Sequence, residues 1–148
     1  DLFCCETGYQ TPKLATRAAV FQGERILLVQ EPKGWALPGG WVDMDISVAE
    51  STVKEVREEA GLEVRADRLI ALLDGERHHT TVYPWKVTIA FVLCTLVGGA
   101  FQENLETTAS GWFPLDSMPP LDWEKTTREQ LELCFRARAA VHWHTLLE

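Results

Sequence analysis

Short runs of apolar residues, separated by turn residues, dominate the first third of the chain. Residues 15–21 and 25–30 are two such runs on either side of Gln22-Gly23, a pattern that predicts a β-hairpin. Residues 35–42 (WALPGGWV) predict a loop followed by a short strand, because a proline and two glycines interrupt the apolar side chains.

The clearest helix signal begins at Ser47, a residue type favoured at the N-cap, and Glu50 three positions later completes a capping box. Gly61 is the predicted stop, because glycine readily adopts the left-handed conformation that ends helices. Four apolar residues recur at helical spacing between these ends and predict a stripe that faces the core: Ala49, Val53, Val56 and Ala60.

The second half of the chain predicts further strands. Residues 62–64, 69–73 and 111–115 have the length and composition of short strands, whereas residues 76–85 are typical of a polar, aromatic loop. Residues 87–96 form a long, mostly apolar run, which favours a central strand buried on both faces.

A terminal helix is predicted from near Thr126, whose capping-box partner is Glu129, to about Leu146. Its packing stripe is expected to comprise Leu131, Phe135, Ala139 and His142. Cys134 is expected to be inert core filler. Strands, one helix, more strands and a terminal helix together predict an α+β sandwich.

Composition and charge narrow the classes of function. The 148 residues correspond to one domain, and 14 Lys and Arg against 22 Asp and Glu give a formal net charge of −8. That charge argues against nucleic acid held through its phosphates, and residues 87–96 are too few to span a bilayer. We therefore expect neither a nucleic acid nor a membrane as partner, and an anionic substrate would need cations to mediate its binding.

The cysteines and the first residue bear on location and completeness. Cys4 and Cys5 are adjacent, and the other two lie inside apolar segments, so neither a disulfide framework nor a zinc spacing is present. A reduced, cytoplasmic chain is the prediction, with a redox-active pair at positions 4 and 5 as the alternative. The chain begins with Asp1 rather than methionine and shows no signal-peptide pattern, so we expect that its beginning is missing.

Three glutamates on the predicted helix carry the candidate chemistry. Glu55, Glu58 and Glu59 are spaced i, i+3, i+4, which places their carboxylates on one helical face, distinct from the apolar stripe. Like charges so close repel, and a hard cation such as Mg²⁺ or Mn²⁺ would relieve that repulsion. A solvated acidic face is the alternative for three glutamates taken alone.

The segment from Gly40 to Leu62 resembles the Nudix box, the loop-helix-loop signature of Nudix hydrolases. The positions that match the box in register are Gly40, Glu55, Val56, Glu58, Glu59, Gly61 and Leu62. Ile46 stands where the family has glutamate, and Lys54 stands where it has arginine. In the family those two residues brace the loop and the helix, so we expect reduced rather than abolished activity, with Asp43 or Asp45 as the substitute partner or ligand.

The resemblance extends over most of the chain. Residues 9–13, 17–21, 35–41 and 119–121 are similar to the bacterial Nudix subgroup that acts on ADP-ribose and other X-linked nucleoside diphosphates. It implies a Nudix-type α/β/α sandwich with a mixed β-sheet over residues 14–148, preceded by a tail or linker over residues 1–13. Members of that subgroup carry a small helical domain ahead of this segment and commonly dimerise, so a homodimer is left open here.

The resemblance also implies a reaction and its residues. It implies hydrolysis of the pyrophosphate bond of a nucleoside diphosphate linked to X, giving a nucleoside monophosphate and phosphorylated X. The catalytic residues it implies are Glu55, Glu58 and Glu59, which with the Gly40 carbonyl and Glu106 would ligate Mg²⁺, or alternatively Mn²⁺. Glu103 is the substitute for Glu106, and a plain solvated loop acid is the alternative for both.

Substrate contacts are expected from aromatic and basic residues near the box. Trp35 is the first aromatic candidate, with core packing as the alternative, and Arg17 is a candidate phosphate contact, with a solvated cation as the alternative. The loop that contains His78, His79, Tyr83 and Trp85 is expected to stack a base or to contact X. A weakened Nudix-like module that binds a nucleotide sugar as a sensor is the competing function.

Overall fold

The computed structural model describes residues 8–79, 86–104 and 107–148. Within these ranges the chain forms eight strands and three helices, and none of these helices is long and apolar enough to cross a membrane. The strands are β1 (Lys13–Gln22), β2 (Arg25–Glu31), β3 (Gly34–Ala36), β4 (Gly39–Trp41), β5 (Leu62–Asp74), β6 (Val87–Gly99), β7 (Ala109–Pro114) and β8 (Leu146–Leu147). The helices are α1 (Val48–Ala60), α2 (Gly75–His78) and α3 (Arg128–Ala139).

One mixed sheet joins these strands in the order β3-β2-β1-β6-β5-β8, with β4 paired to β1 and β7 paired to β2. β6 runs parallel to β1 and antiparallel to β5. Its residues from Ile89 to Val92 are buried, although their side chains alternate between the two faces of the sheet. The predicted central strand, buried on both faces, is therefore confirmed.

On the side away from β6, strand β1 pairs with two different strands along its length. Near its start, Ala15 pairs with Trp41 and Arg17 pairs with Gly39 of β4. Near its end, β1 pairs antiparallel with β2 around Gly23, which has a φ of 60°. The predicted hairpin is therefore confirmed. Of residues 35–42, the predicted short strand is present as β4, whereas Trp35 and Ala36, predicted as loop, belong to β3.

Two hydrophobic cores lie on opposite faces of the sheet. On one face, Val56 and Ala60 of α1 pack against a cluster that includes Ala18 and Val20 of β1. On the other face, α3 packs against a cluster built partly from the alternate residues of β1: Ala15, Ala19 and Phe21. The α/β/α sandwich with a mixed sheet is therefore confirmed.

Helix α1 has the predicted ends but a different rotation. The Ser47–Glu50 capping box is present, and Gly61 ends the helix with a φ of 69°. Ala49 was predicted to face the core and is exposed, whereas Glu59 is buried, with 3% of its surface exposed. The reason is polar: the hydroxyls of Thr52 on α1 and Thr16 on β1 are 2.5 Å apart, and this pair turns the Thr52–Glu59 side of the helix toward the sheet.

Helix α3 is shorter than predicted. Its capping box is formed by Thr127 and Gln130, one residue later than predicted, and the helix ends at Ala139 rather than near Leu146. The prediction that Ala139 and His142 belong to a buried stripe is wrong, because both are exposed. Leu131 is buried as predicted.

The residues after α3 return to the sheet instead of continuing the helix. The indole N–H of Trp143 donates to the carbonyl of Ile70 (2.9 Å), and the hydroxyl of Thr145 donates to the carbonyl of Leu69 (3.0 Å). β8 then pairs in parallel with β5. Apolar residues that the helical spacing assigned to α3 therefore dock on the edge of β5.

Other boundaries also differ from the predictions. The two strands predicted over residues 62–64 and 69–73 are one strand, β5, whose irregular pairing with β6 carries it past the polar residues between them. The predicted loop over residues 76–85 begins inside α2, whose N-cap is Asp74. The strand predicted over residues 111–115 is β7. β1 begins at Lys13, and residues 1–7 lie outside the described residues. The predicted division of the chain into a tail over residues 1–13 and a domain over residues 14–148 therefore stays a prediction.

Candidate active site

A cavity of about 400 Å³ lies at the β4 end of β1. Its wall includes residues of β1, β2, β4, β6 and α1, together with His79 and the segment before α3. Its acidic lining residues are Glu31, Asp43, Glu55, Glu59 and Glu124, and its permanently cationic lining residues are Arg17 and Lys125. The excess of carboxylates makes this a place where a cation would be bound favourably.

Glu59 is the most deeply buried of these carboxylates. Its Oε2 accepts a hydrogen bond from the backbone N–H of Gly39 at 2.8 Å. Burial is the main reason that the pKa of Glu59 is raised from 4.5 to about 8; the Gly39 N–H and Arg17 lower this pKa, whereas the charges of Glu55 and Glu31 raise it. Without a cation, Glu59 therefore holds its proton near neutral pH, and a divalent ion beside it would favour the charged form.

Two adjacent glycines let the backbone approach these carboxylates. A Cβ atom on Gly40 would lie 3.0 Å from Oε1 and 3.2 Å from Oε2 of Glu55. A Cβ atom on Gly39 would collide with the carbonyl oxygen of Thr16 on β1. Glycine at position 40 therefore lets Glu55 of α1 lie against β4, and glycine at position 39 lets β4 lie close to β1.

Glu58 lies apart from the other two glutamates. Its side chain is 55% exposed, its Oε1 is 3.7 Å from Nζ of Lys54, and it does not line the cavity. Among residues 8–79, 86–104 and 107–148, no three or more His, Cys, Asp or Glu side chains are gathered as a metal cluster. The structure thus brings together Glu55 and Glu59 of the predicted triplet, and the role predicted for Glu58 stays a prediction.

The cationic lining residues are held at the cavity wall. Arg17 donates through Nη1 to the carbonyl of Thr16 (2.8 Å). Nζ of Lys125 donates to Oε1 of Glu31 (2.7 Å), which joins the segment before α3 to the end of β2. Arg17 therefore lines the cavity, and its predicted contact with phosphate stays a prediction.

The predicted aromatic and histidine contacts are placed differently. Trp35 packs edge-to-face on Phe113, with ring centroids 5.0 Å apart, and it does not line the cavity; this is the core packing given as its alternative. His78 points away from the cavity, with its Nε2 2.9 Å from Oε1 of Glu148. Three predicted site residues lie outside the described residues: Tyr83, Trp85 and Glu106.

The NUDIX domain family matches residues 11–134, most of the chain. The chain belongs to the Nudix family. The Gly40–Leu62 resemblance is therefore confirmed, and the paired glutamates lie in the Nudix box. Divalent-metal dependence is general among Nudix hydrolases.

Several known Nudix proteins are similar to this chain. A crystal structure of an ADP-ribose pyrophosphatase from Streptococcus suis 89-1591 has 54% identity and a TM-score of 0.87, covering 93% of this chain and 100% of that one. A crystal structure of a UDP-X diphosphatase has 31% identity and a TM-score of 0.85, covering 98% of this chain and 71% of that one. The YjhB protein of Bacillus subtilis (strain 168) is 39% identical over 137 residues, 91% of this chain.

The chain is shorter than some of these relatives. It spans 66% of the length of YjhB and 49% of the NAD-capped RNA hydrolase of Pseudomonas aeruginosa (strain LESB58), to which it is 28% identical over 144 residues. Activities of such longer proteins are therefore considered for this Nudix chain only as a proposal.

Lys54, one of the two departures from the Nudix box, forms an ion pair in the structure. Nζ of Lys54 donates to Oδ2 of Asp43 at 2.8 Å, so Asp43 is the substitute partner and Asp45 is not. This ion pair joins the loop after β4 to α1. The brace between loop and helix is thus kept with Ile46 in place of the family's glutamate.

Charged and aromatic lining residues that the sequence reasoning did not single out include Glu31, Trp41 and Lys125. Trp41 carried a local signal, since it follows the glycine pair directly, and His79 lies in the loop that was expected to contact the substrate. Glu31 and Lys125 carried none, because only the pairing of distant segments brings them to the cavity.

Proposed function

We propose that this chain hydrolyses the pyrophosphate bond of a nucleoside diphosphate linked to a second group X. Water adds across the P–O–P bridge, so that the products are a nucleoside monophosphate and phosphorylated X. The observation that carries this proposal is the convergence of Glu55 and Glu59 on the Gly39-Gly40 turn of an acidic cavity. The names of the Streptococcus suis pyrophosphatase and the UDP-X diphosphatase support it.

The donor set of the cavity fits a divalent metal. Glu55 and Glu59, with the Gly40 carbonyl, would hold it, and Mg²⁺ is the proposed ion, with Mn²⁺ as the substitute. When bound, such an ion supplies neutralisation of phosphate charge and a lowered pKa of water. The acid excess of the lining and the raised pKa of Glu59 support this choice.

The chain's own residues bind and orient the substrate. Arg17 and Lys125 line the cavity, where their cationic groups would contact phosphate oxygens. Because Gly39 and Gly40 have no side chains, only their backbone atoms would lie beside the scissile bond. Lys125 would exchange its contact with Glu31 for a phosphate oxygen, which positions the diphosphate between the glutamates and the basic residues.

Further parts of the proposal concern setting and partners. The net charge of −8 supports a small-molecule substrate rather than nucleic acid. The buried free thiols of Cys94 and Cys134 support a cytoplasmic location. A homodimer is proposed from the resemblance to the ADP-ribose subgroup alone.

A ligand-binding sensor is the second candidate. One observation favours it: the described residues bring two rather than three acidic side chains of the box together. A sensor would bind ADP-ribose without releasing a monophosphate, so turnover separates the two functions.

The test is hydrolysis of ADP-ribose, CDP-choline and NADH with Mg²⁺. Wild type should release a monophosphate only with metal, and Glu59→Gln should lower kcat/KM about a hundredfold or more, because it replaces a metal ligand. Glu24→Gln is the matched control, since Glu24 is exposed in the hairpin turn and should leave activity unchanged. Binding without turnover on any substrate would contradict the enzymatic proposal and support the sensor.

A further inference from the structure

The cavity has an apolar half in addition to its acidic half. On β1, Ala15 pairs with Trp41 of β4 on one side and with Ile89 of β6 on the other. Partners directly opposite each other in a sheet project from the same face. Ala15, Ile89 and Val87, two positions before Ile89 on β6, therefore form a floor beside Trp41, and all four residues line the cavity.

Trp41 is a large aromatic side chain at the cavity rather than in the core. It is 40% exposed, although strand pairing fixes its backbone. It follows Gly40 directly, so its Cα is about 3.8 Å from the glycine that faces Glu55. An exposed indole this close to the proposed diphosphate site lies within the reach of a nucleoside attached to that diphosphate.

The imidazole ring of His79 forms part of another wall of the cavity. Its Nδ1 is 3.1 Å from the carbonyl of Trp123, which accepts only, so Nδ1 carries the proton. Its Nε2 is 3.0 Å from the side-chain nitrogen of Gln130 and therefore accepts. Burial lowers the pKa of His79, which agrees with this neutral form. Both ring nitrogens thus have partners within the protein, so His79 lines the cavity as a neutral ring rather than as a base or metal ligand.

These surfaces favour one end of the substrate over the other. A sugar-like X carries several hydroxyl groups, which would be left without hydrogen-bond partners against Ala15, Val87 and Ile89. The faces of a planar nucleobase form no hydrogen bonds, so a base loses few hydrogen bonds on an apolar floor, and stacking on an indole adds binding free energy.

We propose that the nucleobase stacks on Trp41 over the floor of Ala15 and Ile89, with His79 as the far wall and the diphosphate toward Glu55 and Glu59. This inference rests on the proposed function, and it makes Trp41 a determinant of substrate binding rather than a catalytic residue. X then extends toward the opposite, charged end of the cavity. Recognition through stacking tolerates different bases.

The experiment compares ADP-ribose with a base-free analogue, the diphosphate that joins two ribose 5-phosphate units. Trp41→Leu should raise KM for ADP-ribose about tenfold with kcat kept, the effect of losing one stacked base. Trp41→Phe should keep KM within about threefold of wild type, because it retains a ring. Neither variant should change kcat/KM for the base-free analogue.

A binding measurement separates this inference from the proposed function. Calorimetry in EDTA should show that wild type prefers AMP to ribose 5-phosphate and that Trp41→Leu loses this preference. Tyr9→Ala, which removes an exposed ring outside the cavity, is the control and should match wild type in both assays. If Trp41→Leu loses the preference for AMP but wild type hydrolyses no substrate, the proposed function is overturned and the base site is supported.

Two results would overturn the base site. One is an equal loss of kcat/KM for both substrates in Trp41→Leu, which would indicate a structural role for the indole. The other is an unchanged AMP preference in that variant alongside normal turnover, which would leave the proposed function standing. If Trp41→Leu fails to fold, Trp41→Met, which keeps an apolar side chain but has no ring, replaces it in both assays and should give the same results.

Discussion

Alanine at Gly39 or at Gly40 should produce two different defects, although the two positions are adjacent. At Gly39 the added methyl group meets the backbone carbonyl of Thr16, which strand pairing holds in place. At Gly40 it meets the side chain of Glu55, with Oε1 at 3.0 Å, Cδ at 3.1 Å and Oε2 at 3.2 Å. A side chain can move aside, whereas a paired strand cannot.

The magnitudes follow from what has to move. Gly39→Ala must separate β4 from β1, and we expect it to lower the free energy of unfolding by about 3 kcal/mol or more. Gly40→Ala needs the Glu55 carboxylate to shift by only a few tenths of an ångström, so its stability should change by less than about 1 kcal/mol. Because Glu55 is a proposed metal ligand, kcat/KM should nevertheless fall about tenfold or more.

Urea unfolding and ADP-ribose hydrolysis would be measured on both variants. Gly98→Ala is the matched control, since a Cβ there has no neighbour within 4 Å, and it should retain stability and activity. Full activity in Gly40→Ala would refute the placement of Glu55 over the turn. A Gly39→Ala protein as stable as wild type would refute the close packing of β4 on β1.

In EDTA the free energy of unfolding should fall as pH rises from about 4.5 to about 8, because folded Glu59 keeps a proton that the unfolded chain releases; urea titrations should show this fall in wild type and not in Glu59→Gln. Burial raises the thiol pKa of Cys94 and of Cys134 to about 12, so with positions 4 and 5 changed to serine, Ellman's reagent at pH 8 should react only after unfolding. Asp43→Asn should cost less than about 1 kcal/mol, since its ion pair with Lys54 is exposed, and a much larger loss of unfolding free energy would contradict that assignment.

The ends of α1 could be predicted because their signals are local. A serine followed by glutamate three residues later, and a glycine after the last turn, satisfy the helix termini wherever the helix packs. The rotation of α1 could not be predicted in the same way. It depends on the N–H of Gly39, twenty residues before Glu59, and on the hydroxyl of Thr16 in another strand.

The two tryptophans around the Pro-Gly-Gly segment show the same limit. Trp35 and Trp41 have similar local sequences, and each is a plausible aromatic contact from spacing alone. Their fates differ because β3 pairs with β2, which directs Trp35 onto Phe113, whereas β4 pairs with β1, which directs Trp41 to the cavity. Strand pairing, which the sequence does not encode locally, decides which of the two rings lines the cavity.

The cavity is lined by residues from both faces of the sheet: carboxylates of α1 from one face and the apolar floor from the other. α1 packs on the face that contains Ala18 and Val20, whereas Ala15 and Ile89 belong to the core on the α3 side. Gly39 and Gly40 of β4 lie next to these carboxylates: the N–H of Gly39 donates to Glu59, and a Cβ on Gly40 would meet Glu55. The cavity is therefore lined both by Glu55 and Glu59 of α1 and by Ala15 and Ile89 of the apolar floor. A nucleoside diphosphate has the same division, with an apolar ring at one end and charged phosphates at the other, so a substrate of this class would match both halves of the cavity at once.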